Sequence, residues 1–65
     1  MSNEERLVTI LQELENKSKD FGIDLVPLTK EDVENVAILL DEGKTMDEAT
    51  SVVLTNIAKS LEEYP

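Results

Sequence analysis

The chain has 65 residues, with 15 acidic and 6 basic side chains, a formal net charge of −9, and neither cysteine nor histidine. This length allows one domain, and the missing residue types exclude disulfides, thiolate or imidazole metal ligands, and the commonest catalytic nucleophiles and bases. The negative charge disfavours nucleic acid and anionic membranes, since both carry like charge. We therefore predict a single helical domain over residues 1–65 that uses no metal or cofactor and is not an enzyme.

The first helix is predicted from its start signal and its apolar spacing. Ser2 and Glu5 are spaced as a capping box, in which each side chain accepts a backbone N–H of the first turn. Gly22 is the predicted stop, because glycine adopts the left-handed backbone conformation without strain. The apolar residues between these signals recur on one helical face: Leu7, Ile10, Leu11, Leu14 and Phe21.

The segment at residues 22–28 predicts an extended connector between the first two helices. It is rich in aliphatic residues, but Pro27 lacks the N–H that pairing within a sheet requires. We expect its apolar side chains to pack against the helices.

The second helix has the strongest start signal of the chain. Thr29 is the predicted cap and Asp32 completes the capping box, while Leu28 and Val33 are spaced as a hydrophobic staple. Gly43 is the predicted stop. The core stripe of this helix is Val33, Val36, Ala37 and Leu40, with Leu39 at its edge.

The third helix is predicted to begin at Thr45, with Glu48 at the capping-box position. Its main apolar stripe is Ala49, Val53, Ile57 and Leu61, widened by Met46, Leu54 and Tyr64. The very short connection from the second helix predicts a tight helical hairpin. With the first helix packed across it, the chain is predicted to be an all-α, small three-helix bundle.

Two ligand-binding motifs fail at positions they require. The sequence Gly43-Lys44-Thr45 resembles the end of a phosphate-binding loop, but that motif needs a glycine where this chain has Ile38. Residues 20–31 have the length of a calcium loop, but Leu25 replaces the glycine of its sharp turn. We expect neither ligand.

Three aliphatic residues fall away from the predicted core stripes: Val8, Ile38 and Val52. At about 100° per residue, Glu31, Glu34 and Glu42 share the outer face of Ile38. Exposed apolar residues with a polar rim are typical of contact surfaces between proteins. We therefore predict that these six residues contact a partner or a second copy of the chain.

The segment from Ile23 to Tyr64 resembles the ribbon-helix-helix repressors, in which a short strand precedes two helices joined by a Gly-x-Ser/Thr turn. In this resemblance, residues 23–28 form the strand and residues 43–45 form the turn. It implies a dimer whose paired strands bind DNA. The chain departs from the family at Pro27 and in lacking polar or basic side chains at the strand positions that would read bases.

The leading functional prediction is that the chain is a small acidic interaction module, such as an adaptor, an inhibitor or an immunity-type factor. It would bind a more basic macromolecular partner, with electrostatic attraction raising the encounter rate. The alternatives are a dimeric DNA-binding regulator of ribbon-helix-helix type and a structural homo-oligomer subunit. The sequence shows no signal peptide and no apolar run long enough to span a bilayer, so we expect a cytoplasmic location.

Overall fold

A computed structural model describes residues 3–63 of the chain, with the side chains of residues 4–62. It contains three helices: α1 (Asn3–Ser18), α2 (Lys30–Asp41) and α3 (Met46–Glu63). Each helix contacts both of the others, and no strand occurs within residues 3–63. The predicted all-α three-helix bundle is therefore confirmed. The predicted roles of Ser2 and Tyr64 fall on residues outside the described ones.

The chain leaves α1 through a glycine, as predicted. Gly22 has φ = +71°, and its N–H donates to the carbonyl of Lys19 at 3.2 Å. The N–H of Ile23 donates to the carbonyl of Ser18 at 3.0 Å. These two bonds define a Schellman motif, which satisfies carbonyls that have no partner inside the helix.

A second Schellman motif ends α2 at Gly43, where φ is +100°. The N–H of Gly43 donates to Leu40 at 3.0 Å, and the N–H of Lys44 donates to Leu39 at 3.1 Å. Thr45 then caps α3, since its Oγ1 accepts the N–H of Glu48 at 3.1 Å. One helix thus stops and the next starts within four residues, which places α2 and α3 side by side as a hairpin.

The capping box of α2 is present in full. Thr29 Oγ1 accepts the N–H of Asp32 at 3.2 Å, and Asp32 Oδ2 accepts the N–H of Thr29 at 2.9 Å. Leu28 and Val33, the predicted staple, both pack at the core. Local sequence signals therefore fix the start of α2.

Replacing Thr29 with alanine is expected to lower the free energy of unfolding by about 1 kcal/mol, because a helix donor loses its partner. Thr55→Ala is the matched control, since Thr55 is exposed in the middle of α3 and alanine is the better helix former. Its effect should be within about 0.5 kcal/mol of zero or slightly stabilising. Urea denaturation followed by circular dichroism measures both, and equal losses in the two variants would contradict the capping role.

The connector differs from the uniformly extended segment that the sequence predicted. Residues 23–26 form a turn closed by the N–H of Val26 and the carbonyl of Ile23 at 3.0 Å. Ile23 is buried, whereas the side chain of Leu25 is 94% exposed and packs on nothing. The strand that a ribbon-helix-helix fold would need at this place is therefore absent, and the turn explains why.

The core lies where the three helices meet, and most of the predicted stripes are buried there. The buried apolar residues are Ile10, Leu14, Ile23, Val33, Val36, Ala49, Val53 and Leu54. Two positions on α3 differ from the prediction: Leu54 is fully buried rather than peripheral, and Leu61 is 47% exposed. No helix among residues 3–63 is long and apolar enough to cross a membrane.

Two buried hydroxyl groups were not predicted. Thr50 Oγ1 donates to the carbonyl of Met46 at 2.8 Å, and Ser18 Oγ donates to the carbonyl of Glu15 at 2.7 Å. Both hydroxyls thus bond to their own helix, which removes the cost of burying a polar group without a partner.

Candidate functional site

The three aliphatic residues that the sequence placed outside the core are exposed in the structure. The exposed fraction is 54% for Val8, 57% for Ile38 and 43% for Val52. Single exposed aliphatics are common on protein surfaces. Their arrangement relative to one another therefore matters more than the exposure of each.

Ile38 and Val52 lie in one groove, between the exposed sides of α2 and α3. This α2/α3 groove has a volume of about 480 Å³ and is open to solvent. Its walls belong to these two helices alone, and Ile38 and Val52 stand on opposite walls. The residues that line it are Asp32, Asn35, Ile38, Leu39, Val52, Val53, Asn56, Ile57 and Ser60.

The α2/α3 groove has an apolar end and a polar end. Since α2 and α3 run antiparallel, the residues nearest the hairpin turn are the aliphatic ones: Ile38, Leu39, Val52 and Val53. Towards the other end lie the polar lining residues Asp32, Asn35, Asn56 and Ser60. None of the side-chain hydrogen bonds within the described residues involves Asn35, Asn56 or Ser60, so their polar groups are available to a partner.

The α2/α3 groove lies on the side of the hairpin that faces away from α1. The polar contacts that α1 makes with α2, and those that it makes with α3, show this. Arg6 on α1 donates from Nη2 to Asp41 Oδ1 at 2.8 Å and to the carbonyl of Ala37 at 3.1 Å. At about 100° per residue, Asp32 and Leu39 point almost opposite to Asp41 around α2, whereas Ile38 lies about 60° from Asp41.

On α3, Lys17 makes the equivalent contact from α1. Its Nζ bonds the carboxylate of Asp47, the carbonyl of Asp47 at 3.0 Å and Ser51 Oγ at 3.2 Å. Asn56 and Ser60, which line the groove, lie on the other side of α3. The groove is thus a free face of the bundle, not a gap beneath α1.

Val8 does not join Ile38 and Val52. It lies on α1 beside a smaller groove of about 250 Å³ between α1 and the start of α2. That groove is lined by Leu7, Val8, Leu11, Leu28, Thr29, Lys30 and Val33. The structure therefore divides the three aliphatics into a pair and a separate residue, so they do not form one continuous surface.

The three glutamates predicted to surround Ile38 are all exposed on α2. Glu34 lies 3.9 Å from the Lys30 ammonium, whereas Glu31 and Glu42 form no ion pair within the described part of the chain. On α3, Glu48 lies one turn before Val52. These four carboxylates, Glu31, Glu34, Glu42 and Glu48, are called the acidic rim below.

In two ion pairs of the chain the basic side chain is less exposed than its acidic partner, so the exposed surface is more acidic than the count of basic residues suggests. Arg6 and Lys17 are held by Asp41 and Asp47, with their side chains 34% and 21% exposed. The α2–α3 hairpin, residues 30–63, carries nine acidic residues and three basic ones, Lys30, Lys44 and Lys59, and Lys30 is paired with Glu34 of the acidic rim. A cationic partner would therefore meet mainly carboxylates here.

The groove residues missed at the sequence level are the polar ones, Asn35, Asn56, Ser60 and Asp32. Asn35 lies three residues before Ile38, and Asn56 lies four after Val52, so helical spacing places each beside an exposed aliphatic. This helical spacing is the signal in the sequence that could have identified Asn35 and Asn56. Asp32 was assigned to the cap of α2, and it serves there while also lining the groove.

Within residues 4–62, no group of three acidic side chains comes together in a way that could hold a metal ion. Comparisons with protein-family models, curated proteins and solved structures found no match. The groove, its charges and its exposed aliphatics are therefore the features from which a function can be inferred.

Proposed function

We propose that this chain is a small acidic protein–protein interaction module, of the adaptor, inhibitor or immunity type, whose partner is a more basic macromolecule. The observation that carries the proposal is the pairing of Ile38 and Val52 in one open groove between α2 and α3, with the glutamates of the acidic rim exposed on the same two helices. An apolar centre with a charged border is the usual anatomy of a binding surface.

The two kinds of residue would contribute differently to binding. Burying the exposed halves of Ile38 and Val52 would contribute roughly 1 kcal/mol each, from the usual value for a full aliphatic side chain. The acidic rim would contribute mainly to the rate of encounter, because charge attraction acts before contact and is screened by salt. Affinity should therefore depend on the aliphatics, and the association rate on ionic strength.

The experiment begins with capture of a partner from native lysate on the tagged chain, followed by its identification and purification. The affinity of that partner is then measured for the unmodified chain, for Ile38→Lys and for the control Val8→Lys. Val8 is as exposed as Ile38 but lies beside the separate groove between α1 and the start of α2. Both positions are exposed, so both lysines should leave the fold intact.

We expect Ile38→Lys to weaken binding at least about tenfold, because it removes an apolar contact and adds a charge that a basic partner repels. Val8→Lys should change the affinity less than about twofold. Equal weakening by both substitutions would contradict the proposed site. A stable homo-oligomer that Ile38→Lys dissociates, with no other partner, would instead make the chain a structural subunit.

A further inference from the structure

We infer that the element of the partner that occupies the α2/α3 groove is a basic amphipathic α-helix, which completes a four-helix arrangement on the face opposite α1. This inference rests on the proposed function and adds the chemistry of the bound element. The helix places two aliphatic side chains over Ile38 and Val52, and a lysine or arginine over Asp32. Three features of the groove support it: the hydrogen-bonding groups it offers, its charge and its length.

The hydrogen-bonding groups favour a helix over an extended peptide. A peptide that is buried in extended form needs partners for its backbone N–H and C=O groups, which in proteins usually come from the edge of a sheet. No strand occurs among residues 3–63, and the hairpin end of the groove is aliphatic. A helix satisfies its own backbone and needs only side-chain packing, and a groove between two antiparallel helices provides this.

The charge favours a basic helix over a second copy of this chain. The hairpin that forms the groove, residues 30–63, carries nine acidic residues against three lysines, and one of these lysines, Lys30, is paired with Glu34 of the acidic rim. A second copy would bring a surface with the same excess of carboxylates, and its net charge of −9 would repel the first. A helix with lysine or arginine beside its aliphatic stripe is attracted by the same residues.

The length of the groove sets the spacing of the contacts on the bound helix. From Asp32 to Ile38 the axis of α2 rises by roughly 9 Å, which matches six to seven residues of a bound helix. Aliphatic anchors at positions i and i+4 would therefore lie over Ile38 and Val52, with a cation about two turns away over Asp32. Asp32 Oδ2 is held by the N–H of Thr29, so this carboxylate is already positioned.

The test uses four synthetic 18-residue peptides built from leucine, lysine, alanine and glutamate, one of which also carries proline, with the full chain and two of its variants. The first has leucines and lysines on one helical face at the spacing given above. The second has the same composition with the leucines spread around the helix, the third carries two central prolines, and the fourth replaces every lysine with glutamate. Dissociation constants are measured at low salt by fluorescence anisotropy, for the chain and for its Ile38→Lys and Val8→Lys variants.

We expect the first peptide to bind at least tenfold more tightly than the other three, and Ile38→Lys to reduce its affinity at least tenfold. Val8→Lys should leave that affinity within twofold. If the proline peptide bound as tightly as the first peptide, the inference that the bound element is a helix would be wrong. If the glutamate peptide bound as tightly, the inference that the element is basic would be wrong. Binding reduced by Val8→Lys rather than by Ile38→Lys would overturn the assignment of the groove.

One outcome separates this inference from the proposed function. If no peptide binds, yet a captured basic partner binds and loses affinity with Ile38→Lys, the inference is wrong and the proposed function stands. If no peptide binds and sedimentation shows only a homo-oligomer, both are wrong.

Discussion

Replacing Leu54 with alanine is expected to destabilise the bundle more than any other substitution considered for this chain, by about 2–5 kcal/mol. Leu54 is fully buried in the core cluster that includes Ile10, Leu14 and Val36, so the truncation leaves a cavity that its neighbours fill only in part. A domain of 65 residues has a total stability of roughly 3–10 kcal/mol. The variant should therefore be largely unfolded in moderate denaturant and marginal without it.

The measurement is urea denaturation of the variant beside Leu25→Ala, which removes the same atoms from a side chain that is 94% exposed. The control should change the free energy of unfolding by less than about 0.5 kcal/mol. A similar loss in both variants would show that Leu54 is not at the centre of the core.

Gly43→Val is expected to have the second largest effect, a loss of about 1–3 kcal/mol. Gly43 has φ = +100°, which a β-branched residue rarely adopts, and a side chain there would meet no atom within 4 Å. The loss would therefore come from backbone strain and not from a steric clash. It would also weaken the Schellman motif that joins α2 to α3.

Gly43→Asn is the matched variant, because asparagine tolerates positive φ better than valine does. Thermal unfolding followed by circular dichroism should rank the three proteins in the order glycine, asparagine, valine. If the valine variant were as stable as the unmodified chain, the proposed role of this turn would be wrong.

The helices could be predicted because their ends are encoded locally. Thr29 and Thr45 supply side-chain acceptors, and Gly22 and Gly43 allow positive φ, so each signal acts within a few residues of the chain. The predicted stripes then follow from helical spacing. These features need no knowledge of how the helices pack.

The structure differs from the sequence prediction at positions whose burial depends on how the helices pack against one another. Leu54 is fully buried because it lies on the side of α3 that faces the core. Leu61 is exposed because it lies near the end of α3, beyond the start of α2. The turn at Ile23–Val26 buries Ile23 and leaves Leu25 in solvent, which alternation along the sequence does not reveal. Thr50 is fully buried, and the hydrogen bond of its hydroxyl within its own helix makes that burial tolerable.

The exposed aliphatic residues of the candidate site could be predicted from the sequence, but the groove that two of them line could not. Spacing along each helix identified Val8, Ile38 and Val52 as lying outside the core stripes. That Ile38 faces Val52 across a groove, while Val8 lies elsewhere, depends on the rotation of α2 and α3 relative to each other. A single sequence carries no direct signal for that rotation.

A basic partner that binds in the α2/α3 groove should change the amide chemical shifts of the residues that line it. These shifts can be mapped on the isotope-labelled chain as the purified partner is added. We expect the largest changes within residues 32–39 and 52–60, with small changes along α1, if the partner binds in this groove. Largest changes on α1 around Val8, with residues 32–39 and 52–60 unaffected, would contradict it.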